Sequence, residues 1–217
     1  MDLNMAGFGF TFEGPLSPKS TYLYSLKRSF LDFVISSTGM QAIPEYWSSQ
    51  GKIAYHLSPT QKIYINFIGG IDEINIEGED NPQLRGAENV DYSSWQTTLG
   101  VTYKNLFSKK GYFQSSIGRS LVHLNTNVYE LNDNPTRNYY YRNNDLESDY
   151  SFRSEVVYKL FDNVEISSGL SAKHVELDFD NWYKNNPTYI YGYSLSESEI
   201  PQLITKVKFD TTYFGKQ

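Results

Sequence analysis

The stretch Trp95-Gln96-Thr97-Thr98-Leu99-Gly100-Val101-Thr102-Tyr103-Lys104 decides the fold class of this chain. Trp, Thr, Leu, Val and Tyr alternate in it with Gln, Thr, Gly, Thr and Lys. Because successive side chains of a β-strand point to opposite faces, this alternation predicts a strand with one apolar and one polar face. A helix would instead group apolar residues three or four positions apart.

The same period of two recurs in almost every segment between turn residues, and it predicts nine strands. The second, sixth and ninth segments alternate less regularly. Arg28 and Arg119 fall on the face that is otherwise apolar, which predicts a bulge or a position above a membrane at each of them. The predicted strands cover about residues 4–13, 21–35, 46–57, 62 onward, 95–104, 112–130, 150–160, 164 onward and 203–214.

The connections between these segments alternate in length without exception. Transmembrane barrels have short periplasmic turns and long extracellular loops, so the alternation favours such a barrel over a soluble one. Several segments are also longer than the roughly 9 to 11 residues that cross the hydrocarbon, and their excess is expected above the membrane. The short connections cover residues 14–19, 58–61, 105–110 and 162–163, and the long ones cover 36–45, 78–93, 131–145 and 181–201.

Composition agrees with a membrane barrel, whose strands meet lipid on one face and water on the other. Aromatic residues make up 16% of the chain, with 19 Tyr, although the mean hydropathy is only −0.52. No run approaches the roughly 18 to 20 apolar residues of a transmembrane helix.

The absence of cysteine excludes disulfide scaffolds and thiolate metal sites. A net charge of −6 without a basic cluster disfavours nucleic acid as a partner.

Several aromatic residues lie near predicted strand ends, where amphipathic rings suit the headgroup level of a bilayer. Ordinary β-propensity explains any single one of them equally well. These residues are Tyr22, Tyr24, Trp47, Tyr55, Trp95, Tyr103, Tyr158 and Phe161.

The predicted fold class is therefore all-β, an antiparallel transmembrane β-barrel. Bacterial single-chain barrels have even strand numbers, so nine strands do not close. An open sheet would leave unpaired backbone groups in lipid, each costing several kcal/mol in order of magnitude. We therefore expect residues 1–217 to be part of a larger outer-membrane barrel domain.

Two stretches near the start resemble the first barrel strands of TonB-dependent outer-membrane receptors, particularly those of Bacteroidetes-like bacteria. They are Asp2-Leu3-Asn4-Met5-Ala6-Gly7-Phe8-Gly9-Phe10-Thr11-Phe12-Glu13-Gly14-Pro15-Leu16 and Tyr22-Leu23-Tyr24-Ser25-Leu26-Lys27-Arg28-Ser29-Phe30-Leu31-Asp32. Pro44-Glu45-Tyr46-Trp47 and Leu57-Ser58-Pro59 continue the likeness. It covers about residues 2–70.

The resemblance implies a 22-stranded parent barrel with an N-terminal plug domain in its lumen, located in the outer membrane of a Gram-negative bacterium. Outer-membrane lipid and a scarce nutrient, such as a metal chelate, cobalamin or an oligosaccharide, would be its partners. The plug is absent from this chain, so contact with the TonB complex is expected only through that missing region. The resemblance implies neither a catalytic residue nor a cofactor.

Two aromatic clusters in the third and fourth long loops are the candidate ligand contacts. Tyrosine supplies rigid contact area and a hydrogen-bonding tip, which suits recognition by loops. Packing of the loops against neighbouring strands is the alternative. The clusters comprise Tyr139, Tyr140, Tyr141 and Arg142 in one loop, and Tyr189, Tyr191 and Tyr193 in the other.

No metal site is predicted. His56, His123 and His174 lie on separate predicted strands and lack metal-ligand spacing. An acidic run offers oxygen atoms for Ca²⁺, but its spacing matches no calcium loop, so a solvated loop is preferred. The run comprises Asp72, Glu73, Glu77, Glu79 and Asp80.

Two other functions stay open at this point. A small complete outer-membrane barrel could act as a porin, adhesin or membrane anchor. An outer-membrane enzyme could pair a serine and a histidine across strands, but no motif around any serine favours one, and no catalytic residue is predicted.

Overall fold

A computed structural model of the chain describes residues 2–4, 7–30, 43–76, 89–131, 137–183 and 206–216. None of the described residues belongs to a helix long and apolar enough to cross a membrane. The strands are β1 (Asp2–Asn4), β2 (Gly7–Ser17), β3 (Ser20–Ser29), β4 (Ile43–Ser58), β5 (Gln61–Ile76), β6 (Asn89–Ser108), β7 (Gly111–Leu131), β8 (Arg137–Phe161), β9 (Val164–Tyr183) and β10 (Lys206–Lys216).

These ten strands form one sheet in which each strand is hydrogen-bonded to its neighbours in sequence order. Every pairing is antiparallel, so the predicted all-β antiparallel class is confirmed. The predicted number of strands was one too low. The first predicted strand began at Asn4, but the chain reverses there, and the short β1 pairs with β2 through Asn4 and Gly7.

Four two-residue turns join the hairpins at one edge of the sheet, the turn edge: Pro18–Lys19, Pro59–Thr60, Lys109–Lys110 and Asp162–Asn163. A serine hydroxyl precedes three of them and accepts the backbone N–H two residues further on. The distances from N to Oγ are 3.2 Å at Ser17, 3.3 Å at Ser58 and 3.0 Å at Ser108. Such local acceptors stabilise tight turns. Short connections occur at all four predicted places. Those predicted at 14–19, 58–61 and 105–110 are reduced to two residues, because the strands continue to Ser17, Ser58 and Ser108.

The other connections, at the opposite or loop edge, lie outside the described residues. Two of them are shorter than predicted. Strand β6 begins at Asn89, inside the loop expected at 78–93, and β8 begins at Arg137, inside the loop expected at 131–145. Strands β6 to β9 have 20, 21, 25 and 20 residues. The loop-edge ends of β6 and β8 lack regular apolar alternation, so the pattern placed them in loops, but the backbone ladder continues through them.

The hairpins are staggered along the sheet. Tyr55, Tyr103 and Ser154 belong to one row of cross-strand partners, which Ile63 and Ser115 connect. The turn at the end of each strand begins four residues after Tyr55 on β4, six after Tyr103 on β6 and eight after Ser154 on β8. The shift is about one residue per strand, which at a rise of roughly 3.3 Å and a spacing of roughly 4.8 Å corresponds to a tilt of about 35°. Strands of β-barrels tilt by a similar angle.

The described residues enclose no hydrophobic core. Tyr129 and Val157, at 3% and 7% exposure, are the only hydrophobic side chains among them that are buried. A stable domain normally buries its apolar faces between layers. The described sheet therefore buries little apolar surface within itself.

Two glycines differ in how closely the backbone of a neighbouring strand approaches them, and replacing each by alanine tests this difference. A Cβ atom on Gly169 would lie 2.7 Å from the Ser154 carbonyl oxygen, whereas one on Gly100 would lie 3.7 Å from its nearest neighbour, the Ile117 oxygen. We expect Gly169→Ala to lower the free energy of unfolding by about 1–2 kcal/mol and Gly100→Ala to change it by less than about 0.5 kcal/mol. Urea titration followed by tryptophan fluorescence measures both. Equal effects would contradict the geometry.

Candidate functional site

The strand register divides the side chains into two faces, because directly paired residues share a face. One face, called here the apolar face, contains a complete row of apolar partners. The other, the polar face, carries mainly hydroxyl, amide and charged groups. The apolar row is Tyr22, Ile53, Ile65, Val101, Ile117 and Phe152.

The apolar face is uncovered by the described residues. Many of its large hydrophobic side chains in the central region are exposed, from 37% at Val101 to 63% at Ile117. Most other exposed large hydrophobic residues also lie on this face, with Ile68, Leu106 and Leu124 as the exceptions. Apolar patches of this extent mark a membrane or protein interface.

An aromatic row, the loop-side belt, ends the apolar region toward the loop edge. Trp47, Ile71, Trp95 and His123 are consecutive cross-strand partners. The rings of Trp95 and His123 stack with centroids 5.5 Å apart. Beyond this row the next residues on the same face are Glu45, Glu73, Ser93 and Asn125. The face changes from apolar to polar within one step along each of these strands.

A second set of rings, the turn-side belt, ends the apolar region toward the turns. Tyr103 contacts Phe113 at a centroid distance of 6.4 Å, and Phe107 stacks on Tyr158 at 6.2 Å. On β4 the apolar region runs the ten residue steps from Trp47 to Leu57. Ten steps span roughly 33 Å along the strand, or roughly 26 Å along an axis tilted by about 35–40°.

Arg28 and Arg119 lie on the apolar face in uninterrupted register, so the bulges expected there are absent. Each guanidinium instead covers an aromatic ring. The Cζ atom of Arg28 lies 5.6 Å from the Trp47 centroid, and that of Arg119 lies 4.9 Å from the Tyr150 centroid. Such contacts shield a cation beside apolar side chains. Arg28 also pairs with Glu45 at 3.5 Å.

The polar face is cross-linked by short side-chain contacts. Hydroxyl pairs join Thr98 to Ser120 at 2.7 Å and Thr102 to Ser116 at 2.9 Å. Lys173 pairs with Asp149 at 2.8 Å. Polar groups that satisfy each other in this way suit a surface that meets water or a polar partner.

The sheet continues past the loop-side belt as a two-sided polar wall, called here the extension. It consists of residues 89–94 of β6, 124–131 of β7 and 137–145 of β8, together with the end of β9. The predicted ligand residues Tyr139, Tyr140, Tyr141 and Arg142 belong to this wall, so their placement in a loop was wrong. Tyr189, Tyr191 and Tyr193 lie outside the described residues.

The structure separates the cluster at residues 139–142. Arg142 lies on the apolar face, with its Cζ atom 5.3 Å from the Tyr139 centroid and 4.7 Å from the Trp182 centroid. Tyr141 lies on the polar face and donates a hydrogen bond of 3.0 Å to Asn181. The ladder shifts register at this point, so Tyr140 is the extra residue of a bulge.

A hydrogen-bond network on the polar face is centred on Asp145. Its Oδ2 accepts from Asn143 at 2.6 Å, and its Oδ1 accepts from the Asp180 backbone N–H at 3.1 Å and from Asn181 at 3.3 Å. The β8–β9 ladder skips residues at this level. The carboxylate therefore replaces missing backbone bonds, and the network is structural.

The histidines remain on separate strands. His123 belongs to the belt, where its Nε2–H donates a hydrogen bond of 2.8 Å to Asn144 Oδ1, and His174 contacts Glu176 at 3.2 Å. Asp72 and Glu73 point to opposite faces of β5. No group of three or more potential metal ligands occurs within the described residues. The acidic positions 77, 79 and 80 lie outside them.

Sequence reasoning missed Asp91, Tyr129, Arg137 and Trp182, which the extension brings onto the same face as Arg142. In the sequence these four residues lie in polar segments that resemble loops. Comparison of the chain with protein-family models and with curated protein sequences finds no match. Interpretation of the site therefore depends on its geometry.

The Asp145 network provides a stability test. We expect Asp145→Ala to lower the free energy of unfolding by about 1–3 kcal/mol, because it removes the acceptor of the Asp180 N–H and of the buried Asn143 amide. Glu147→Ala, an exposed position on the same face and strand, is the control and should be nearly neutral. Urea unfolding compares the two. A neutral Asp145→Ala would show that the network contributes nothing.

Proposed function

We propose that this chain is a section of the wall of a TonB-dependent outer-membrane receptor, with its apolar face toward lipid and its polar face toward the barrel lumen. The observation that carries the proposal is the exposed apolar band between two aromatic belts. Lipid would supply the burial that the described part of the chain lacks, because it covers apolar side chains without a second protein layer.

The dimensions support a membrane position. The band has a height of roughly 26 Å once the strand tilt is included, and the lipid-facing band of outer-membrane barrels is about 25 Å tall. Aromatic girdles flank that band in such proteins. The stagger of the hairpins supports strands that tilt as barrel strands do.

The connections support an orientation. The two-residue turns would face the periplasm, and the loop edge with its extension would face the outside. The extension is polar on both faces, as expected of a wall that rises out of the bilayer into water. The polar face below it would line the lumen.

The receptor family is proposed from the resemblance of residues 2–70 to the first barrel strands of TonB-dependent receptors. An incomplete wall is in keeping with this family, because β1 and β10 each have a single neighbour among the described strands. In a 22-stranded parent the remaining strands would pair with these edges. The chain would then serve uptake of a scarce nutrient, such as a metal chelate, cobalamin or an oligosaccharide, and would reach the TonB complex through a plug.

The strand count gives one argument for a second candidate, a small complete barrel acting as a porin, adhesin or membrane anchor. Ten is an even number, as closure requires. Closure would join β1 to β10, yet β1 has only three residues and would satisfy few groups of its partner. The receptor wall is therefore preferred.

A charge placed on each face tests the orientation. We expect Val101→Arg, at the centre of the apolar row, to lower the free energy of unfolding in lipid vesicles by about 2–4 kcal/mol, because it places a cation near the bilayer midplane. The control Gln96→Arg lies on the same strand but on the polar face and should change it by less than about 0.5 kcal/mol. Similar effects of the two variants would rule out the proposed faces.

Electrophoresis separates the two candidates. The 217-residue chain alone, folded in detergent, should migrate identically with and without boiling, because its edge strands lack partners and no closed barrel resists the denaturant. Faster migration of the unboiled sample would mean a closed barrel and would favour the small complete one.

A further inference from the structure

On the apolar face, directly above the loop-side belt, the extension contains a polar cavity of about 320 Å³. Its volume is at the lower end of the range of about 300–1,000 Å³ for small-molecule sites. The side chains that line it from the apolar face are Glu73, Asn75, Asp91, Ser93, Asn125, Asn127 and Arg137.

Two of the buried side chains of the described sheet lie beside this cavity. Tyr129 is 3% exposed, because Arg137 covers its ring at 4.5 Å and Tyr139 contacts it at 5.7 Å. The Asn89 side chain, 1% exposed, donates a hydrogen bond of 3.3 Å to the Tyr129 carbonyl. The groups around the cavity are therefore held on a rigid support, as a binding site requires.

The charged groups of the cavity are fixed as well. Asp91 accepts from Arg137 at 2.8 Å and from the Tyr129 hydroxyl at 3.2 Å. A hydrogen bond with Tyr139 and the negative charge of Asp91 raise the pKa of Arg137, so it remains a cation. Asn127 donates to Asn125 at 2.8 Å. Glu73 and Asn75 are exposed and direct a carboxylate and an amide toward a ligand.

The lining selects a class of ligand. A phosphate would meet the carboxylates of Glu73 and Asp91. A cation would find only the single exposed carboxylate of Glu73, because Arg137 already pairs with Asp91 at 2.8 Å. A neutral saccharide suits this lining, since each hydroxyl can donate to a carboxylate or amide oxygen and accept from an amide or guanidinium N–H. A stack of planar groups lies beside the cavity, and a sugar ring can pack against it. It consists of the Arg142 guanidinium and the rings of Tyr139 and Trp182.

We propose that this cavity binds a neutral saccharide unit, and that the headgroup of a glycolipid in the surrounding leaflet supplies it. The inference rests on the proposed function, because the lipid-facing side of the sheet is what carries the cavity. It lies one step beyond the row of Ile71 and Trp95, at the height where headgroups meet the protein. A free oligosaccharide has the same chemistry and is distinguished by experiment.

The test uses the full 217-residue chain placed in nanodiscs with equal amounts of a monoglucosyl diacylglycerol and phosphatidylglycerol. Native mass spectrometry measures which lipid stays bound. We expect the glucosyl lipid to be enriched, and the double variant Glu73→Ala with Asn75→Ala to reduce that enrichment on the order of tenfold, because two hydrogen-bonding groups are lost. Gln96→Ala with Glu147→Ala removes the same kinds of group from the polar face and should change nothing.

Absence of enrichment, or enrichment that the Glu73→Ala, Asn75→Ala variant retains, would overturn the inference. Binding of free maltotetraose without enrichment of the glucosyl lipid would overturn the glycolipid as the source. Quenching of Trp95 by brominated lipid, with Trp47→Phe and Trp182→Phe also introduced, reports membrane insertion independently. Quenching without enrichment defeats only the saccharide site, whereas no quenching defeats the proposed function and this inference together.

Discussion

The backbone ladder between neighbouring strands holds this sheet together, and the described residues add almost no buried core to it. Hydrogen bonds satisfy the peptide groups of each strand from both sides, except at the two edges. Their net contribution to stability is small in water, where unfolded peptide groups bond to solvent, and larger in lipid, where no solvent competes. The described sheet therefore depends on its backbone ladder more than on a buried core.

This constraint explains the division of the two faces. The apolar face keeps its hydrophobic side chains exposed over a band limited by rings, and the loop-side limit coincides with a change in polarity along the strands. The polar face links its groups through hydroxyl pairs such as Thr98 with Ser120 and ion pairs such as Lys173 with Asp149. Arg28 and Arg119 fit the same division, because an aromatic ring covers each of them.

The extension follows a different physical rule. Its strands are polar on both faces, so neither lipid nor a core can stabilise them. Asp145 bridges a gap in the ladder, and Tyr129 packs beneath Arg137 and Tyr139. Local networks therefore replace the burial that stabilises the rest of the sheet. The same networks hold a polar cavity in a fixed shape immediately above the apolar band.

The sequence alone predicted most of the strands, their antiparallel order and the two faces, because period-two alternation survives wherever one face is apolar. Val101 and Trp95 could be assigned to the apolar face from the pattern alone. Residues 137–145 could not, since a strand that is polar on both faces looks like a loop until its partners are known. Only the tertiary structure paired those residues with β7 and β9, and so placed Tyr139 and Arg142 on one face and Tyr141 on the other. The physical reason is that long-range pairing, unlike hydrophobic alternation, leaves no periodic mark in the chain.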